Sequence, residues 1–136
     1  PRIAFNHSLK AIYIYSGSND LSVSKQDKSP LQILETYKYV VKLLRSKFPN
    51  TPIYYIAISP NERRWTVWDK IQETNELIKN YSSTKPNMYF VETASALLGA
   101  DGKYQPQLHI DDKLHFNEKG YEIWTKIMRK SIAEIK

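Results

Sequence analysis

Cysteine is absent from all 136 residues. That excludes disulfides, thiolate metal sites and a cysteine nucleophile together, and it leaves the redox compartment, and with it the localisation, open. Long apolar runs are missing as well. No stretch approaches the ~18 consecutive apolar residues of a membrane-spanning helix, and no basic-then-apolar leader opens the chain. Glycine is scarce, at 4 residues, and no glycine-rich loop of the phosphate-cradling type occurs. There are no internal repeats and no low-complexity segments. The first residue is Pro1 rather than Met, from which an upstream portion is expected.

What is present describes one globular domain: 41% hydrophobic residues, 12% aromatics and 25% charged residues. Lys and Arg outnumber Asp and Glu by 20 to 14, for a formal charge of +6. The cations are scattered over helix faces without an accompanying aromatic-plus-Arg pattern. A solvated basic surface is the reading, and no nucleic-acid partner is expected. Tyrosine is abundant at 10 residues and sits inside apolar runs, where each hydroxyl must find a partner.

Apolar runs at 11–15 (AIYIY), 53–58 (IYYIAI) and 88–92 (MYFVE) read as buried strands, each leading into a polar loop. Between the first two, Ser29, Pro30 and Gln32 form a capping box. The apolar stripe Leu31, Leu34, Tyr37 or Val41, Leu44 and Phe48 carries that helix to FPNTP, which ends it. Trp68, Ile71, Asn75 and Ile78 or Leu77 predict a second helix to about Tyr81, and a short helical segment is expected at 93–98. The last helix starts at an Asn117 N-cap, with Phe116 and Tyr121 as a hydrophobic staple, and buries Tyr121, Trp124, Ile127 or Met128, and Ile132. Strands alternating with such helices predict an α/β fold: three layers, α/β/α, with a narrow, mainly parallel sheet of about three strands. The loops SGSNDL, SPNERR and DDKLH then share one rim.

Asp112 precedes His115 by three residues. A carboxylate so placed fixes an imidazole tautomer while the other ring nitrogen takes a proton from a nucleophile. A polar loop pair and, with His109 and Asp111, metal ligation are the alternatives. In the SGSNDL loop, Gly17 can adopt a backbone closed to other residues and free N–H groups, and the Asn19 amide can face a developing oxyanion. A plain turn is the bland reading, with Asp20 pinning it. Arg63 and Arg64 could hold an anionic group, though a salt bridge suits them better. Trp65 and Trp68 cover the core. His7 has no companion, and Ser59, beside Pro60, lacks the strained setting of an activated serine.

Taken together, YSGSNDL at 15–21, IAISPNERRW at 56–65, Asn75 and DDKLHFNEKGYEIW at 111–124 resemble the SGNH hydrolases, the GDSL-type esterases and lipases. The resemblance runs from about Lys10 to Met128 and implies a flavodoxin-like sheet of about five strands when whole. It implies His115 as general base, Asp112 as its orienting partner and Asn19, with backbone N–H groups near Gly17, as the oxyanion hole. Substrates would be carboxylic esters, including short-acyl or carbohydrate acetyl esters, with no cofactor and no metal. The blocks that carry the family's serine and a second oxyanion glycine do not match here, so the chain is expected to be the C-terminal two-thirds of a domain, inactive alone. It would then self-associate or pair with its N-terminal segment. A glycan- or protein-binding module on the same fold is the alternative.

Overall fold

The computed structural model describes residues 9–17, 21 and 28–135. Strands β1 (Ile12–Ile14), β2 (Ile53–Ile56) and β3 (Met88–Val91) alternate with helices α1 (Pro30–Lys47), α2 (Trp68–Ser83) and α3 (Glu118–Ala133). The strands pair in parallel in the order β1-β2-β3. Their register aligns Ile12, Ile53 and Met88 in one row, and Tyr13, Tyr54 and Tyr89 in the next.

Side chains alternate across a strand, so each row commits to one face. Ile12, Ile14, Ile53, Tyr55, Met88 and Phe90 pack with Ile33, Tyr37 and Val41 of α1 and with Ile71 and Ile78 of α2. Tyr13, Tyr54, Ile56 and Val91 pack with Trp124, Ile127 and Met128 of α3. The sheet is therefore covered on both faces, giving the α/β/α sandwich expected of apolar parallel strands. Tyrosine serves both faces. The Tyr54 ring stacks between Tyr13 and Tyr89 at centroid distances of 4.7 and 4.9 Å, and the Tyr13 hydroxyl meets Ser131 Oγ at 2.9 Å.

Local chemistry sets the helix starts. Ser29 Oγ accepts from the Gln32 N–H and Gln32 Oε1 accepts from the Ser29 N–H, the reciprocal box ahead of Pro30. Leu31, expected on the buried stripe, is instead 60% exposed. It lies about 100° around the helix from Pro30, outside the arc that Ile33, Leu34, Tyr37 and Val41 bury. At α3, Asn117 Oδ1 accepts from the Gly120 N–H at 3.1 Å, and Phe116 meets Tyr121 edge-on. Tyr121 and Ile132 are half exposed rather than buried; the hydrophobic staple turns Tyr121 toward the rim. A Cβ on Gly120 would stand 2.4 Å from the Leu108 carbonyl, so only glycine lets the 105–109 segment lie against α3. The segment expected to be helical at 93–98 contracts to one 3-10 turn, Ser95–Leu97. Among the described residues, no helix is long and apolar enough to cross a membrane.

Candidate active site

The carboxyl ends of β1 and β2 and the approach to α3 meet around a cavity of about 370 Å³. Tyr15 follows β1; Ser59, Asn61 and Arg64 follow β2. His115 and Phe116 close the opposite side with Tyr121 and Trp124 of α3. One wall is thus polar and the other aromatic.

His115 is held by Asp112 through a tight local turn. Asp112 Oδ1 accepts from the backbone N–H groups of Leu114 at 2.9 Å and His115 at 3.0 Å, while Oδ2 accepts from His115 Nδ1. A carboxylate can only accept, so Nδ1 carries the proton and the neutral ring presents its lone pair at Nε2. The His115 ring bond, followed by the two backbone N–H groups, holds the Asp112 carboxyl well below the usual carboxylate range. Lys113 takes a left-handed φ of 61°, which reverses the chain between the two residues. The turn is braced by Ile110 N–H to His115 O at 2.9 Å, Lys113 N–H to Ile110 O at 3.0 Å and Arg63 N–H to Lys113 O at 3.1 Å. The last of these ties the loop after β2 to the turn carrying His115.

The polar wall is built on buried backbone. Asn75 on α2 accepts from the Ile58 N–H at 2.9 Å and donates to the Ile58 carbonyl at 3.0 Å, holding the chain straight past the end of β2. Ser59 comes next. It is 6% exposed, and its Oγ makes no hydrogen bond among the described residues. Tyr15 is half exposed, but partial desolvation of its hydroxyl raises the pKa, against the opposing influence of Ser59 and Arg64. Asn61 Oδ1 accepts from the Arg64 N–H at 2.9 Å, folding the loop so that Arg64 lines the cavity and Arg63 is exposed.

Gly17 has φ of 97°, and a Cβ there would press on Ile33, Ile58 and the Tyr55 hydroxyl at 3.2 to 3.3 Å. The residue type is therefore required by both conformation and space. Asn19 and Asp20 lie outside the described residues, as does His7. His109 and Asp111 do not join Asp112 and His115 around a common point: they border a separate depression with Glu62 and Lys113. Among the described residues no three His, Asp or Glu side chains converge as metal ligands would. Ser59, set aside in the sequence as an activated serine, lines this cavity, and Asn75, one of the positions carrying the family resemblance, holds the backbone before it, a role its sequence position did not assign.

The family model of the GDSL-like lipases and acylhydrolases matches residues 2–123. Solved structures share the fold at low identity. A Streptococcus pneumonia protein named for platelet activating factor superposes with a TM-score of 0.76 at 21% identity, covering 89% of this chain and 59% of that one. A family 3 carbohydrate esterase from Talaromyces cellulolyticus gives 0.76 at 16% identity, over 96% and 60%. A GDSL-like lipase from Bacteroides thetaiotaomicron gives 0.70 at 17%, over 92% and 62%. The chain thus spans about 60% of the length of these structures. Comparison with curated proteins finds no match.

The family match corrects the expectation of a C-terminal remnant. It begins at residue 2, ahead of β1, whereas the short motifs legible in the sequence begin only at Tyr15 and made the likeness look confined to the later part of a domain. The inferences that hung on that confinement fall with it: that the nucleophilic serine belongs to a segment missing from this chain, that the chain alone is inactive, and that it pairs with its own N-terminal segment. With a match over 2–123 and a three-layer sandwich carrying an Asp-x-x-His turn at its rim, the chain belongs to the GDSL-like lipase/acylhydrolase family.

Proposed function

We propose that this protein hydrolyses carboxylic esters, with His115 as general base and Asp112 as the group that orients it. One observation carries the reading: His115 Nδ1 is engaged by Asp112, and the ring borders a cavity, with no hydrogen bond to Nε2 among the described residues. Nε2 takes the proton of a hydroxyl nucleophile as it attacks the ester carbonyl, gives it to the leaving alcohol, then activates a water that releases the acyl group and restores the hydroxyl. The fixed carboxylate stabilises the imidazolium formed between those steps. Asn19, which lies outside the described residues, is by the motif it belongs to the proposed amide donor to the oxyanion, two residues after Gly17 in the sequence.

The cavity's two walls suit an ester with a polar and an apolar side. Phe116, Tyr121 and Trp124 cover the apolar part. Ser59 offers a buried hydroxyl to a polar atom of the substrate, which relieves the cost of leaving that hydroxyl unpaired.

The test is turnover of short-chain p-nitrophenyl esters by the purified protein. Replacing His115 by Ala is expected to lower kcat/KM by roughly 100- to 10,000-fold. Equal rates for His115→Ala and the parent would dismiss the reading.

A further inference from the structure

Asn61 lines the same cavity as His115, yet ester hydrolysis as described uses its side chain only to shape a loop. It is 6% exposed. Its acceptor is already committed: a backbone N–H only donates, so the atom 2.9 Å from the Arg64 nitrogen is Oδ1, and Nδ2 is the other end of the amide. No hydrogen bond is made by Nδ2 among the described residues. An enclosed side chain thus keeps two N–H donors, and the surface left to it borders the cavity.

The donor is fixed before any ligand arrives. Pro60, itself fully buried, restricts the backbone directly ahead of Asn61, and Asn75 anchors Ile58 just before that. The bond from the Arg64 N–H then sets the side-chain torsions of Asn61. Little ordering entropy is left to oppose a bond from Nδ2, and a ligand acceptor relieves the cost of enclosing an unpaired amide N–H.

His115 Nε2 must reach the leaving oxygen to protonate it, so the alcohol part of the ester lies in the cavity that His115 and Asn61 both line. We propose that Asn61 is a specificity-determining residue, its Nδ2 donating to a second oxygen on the alcohol part of the ester, a hydroxyl or ether oxygen near the ester group. This rests on His115 acting as the base of an ester hydrolysis. An amide N–H2 only donates, so it selects an oxygen over a methylene at that place. Ser59, in the same wall, pairs with a donor or an acceptor alike and makes no such choice.

The experiment compares 2-methoxyethyl acetate with butyl acetate, chains of equal length in which an ether oxygen, an acceptor only, replaces a methylene. The quantity read is the ratio of their kcat/KM values. Asn61→Asp keeps an oxygen for the Arg64 N–H and loses the N–H2 donor, and the ratio should fall roughly 3- to 10-fold from that of the parent. The two esters share the acetyl group and the His115 step, so a general loss of activity leaves the ratio unmoved. Asn61→Ser also keeps an acceptor for the Arg64 N–H; it should lower the ratio likewise and serves if the Asp variant does not fold. A second readout needs no turnover: in His115→Gln protein, the Asn61 side-chain 15N signal should shift on titration with 2-methoxyethyl acetate and move less with butyl acetate. A ratio equal in parent and variants, or a side-chain signal that responds alike to the two esters, would overturn the proposal. Equal turnover by the parent and His115→Ala would instead dismiss the ester reading, with the amide titration still deciding the Asn61 site.

Discussion

Asn75 and Ile58, 17 residues apart, bind each other face to face: the side-chain amide of one closes both the N–H and the carbonyl of the other. A chain leaving a parallel strand inside a core has backbone groups that neither the sheet nor water can satisfy. Asn75 supplies both partners from α2 in place of a third strand bond. The next residue, Ser59, is thereby delivered to the cavity wall.

Asn75→Leu keeps a similar volume but leaves that buried N–H and carbonyl unpaired. A loss of about 2 to 4 kcal/mol of unfolding free energy is expected, measured by urea denaturation. Asn75→Asp should also destabilise, because a carboxylate accepts from Ile58 but cannot donate to it. A loss under about 0.5 kcal/mol in both variants would show that Ile58 finds other partners.

The Asp112 carboxyl titrates below its ordinary value of 3.8, being held by His115 and two backbone N–H groups. A depressed carboxyl stabilises the fold fully above its unfolded value, and that contribution is lost as pH falls through the folded one. The His115 clasp should accordingly persist down to about pH 4 and release only beneath it. Carboxyl 13C shifts that place Asp112 at or above the ordinary value would contradict the geometry. In activity terms, Asp112→Asn is expected to cost on the order of 10,000-fold in kcat/KM by favouring the wrong ring tautomer.

Lys113 holds a left-handed backbone at φ 61°. A β-branched residue tolerates this conformation worst, so Lys113→Val should destabilise by about 1 to 2 kcal/mol and loosen the Asp112–His115 contact. Lys113→Gly should stay within about 1 kcal/mol of the parent, strain relief being offset by chain entropy. Thermal melts of the two variants separate them, and melting of both at the parent's temperature would argue against strain at this turn.

Tyr37 is 3% exposed, and its hydroxyl lacks a hydrogen-bond partner among the described residues. Burial pushes its pKa up to about 12, with Ser82 offsetting part of the rise. Because the folded value is raised, the fold holds its full stability below the ordinary 10.0 and loses it as pH climbs toward the folded value. The loss should be on the order of 2 to 3 kcal/mol for this one group, seen as a falling urea midpoint above about pH 10. Tyr37→Phe should flatten that decline; an unchanged decline would place the sensitivity elsewhere.

Contacts between near neighbours in the chain were readable because they depend on spacing alone. The Ser29–Gln32 box, the Asn117 cap and the Asp112–His115 turn each close over three residues, so residue type and order suffice to specify them. The three apolar runs likewise announced a parallel sheet, since strands covered on both faces need no polar alternation. Side-chain direction at the rim was less legible. Arg63 and Arg64 are adjacent and chemically equal, yet the bond from the Arg64 N–H to Asn61 puts only the second into the cavity.

The linear order of residues by itself determined which segments bury their surfaces and which carboxylate can reach which imidazole, because hydrophobic period and short-range hydrogen bonding act within a few residues. Only the tertiary structure decided that Ser59 faces the same cavity as His115 and that Asn75 completes the backbone behind it. Those relations join parts of the chain brought together by packing α1 and α2 on one face of the sheet and α3 on the other, a packing that no local pattern encodes.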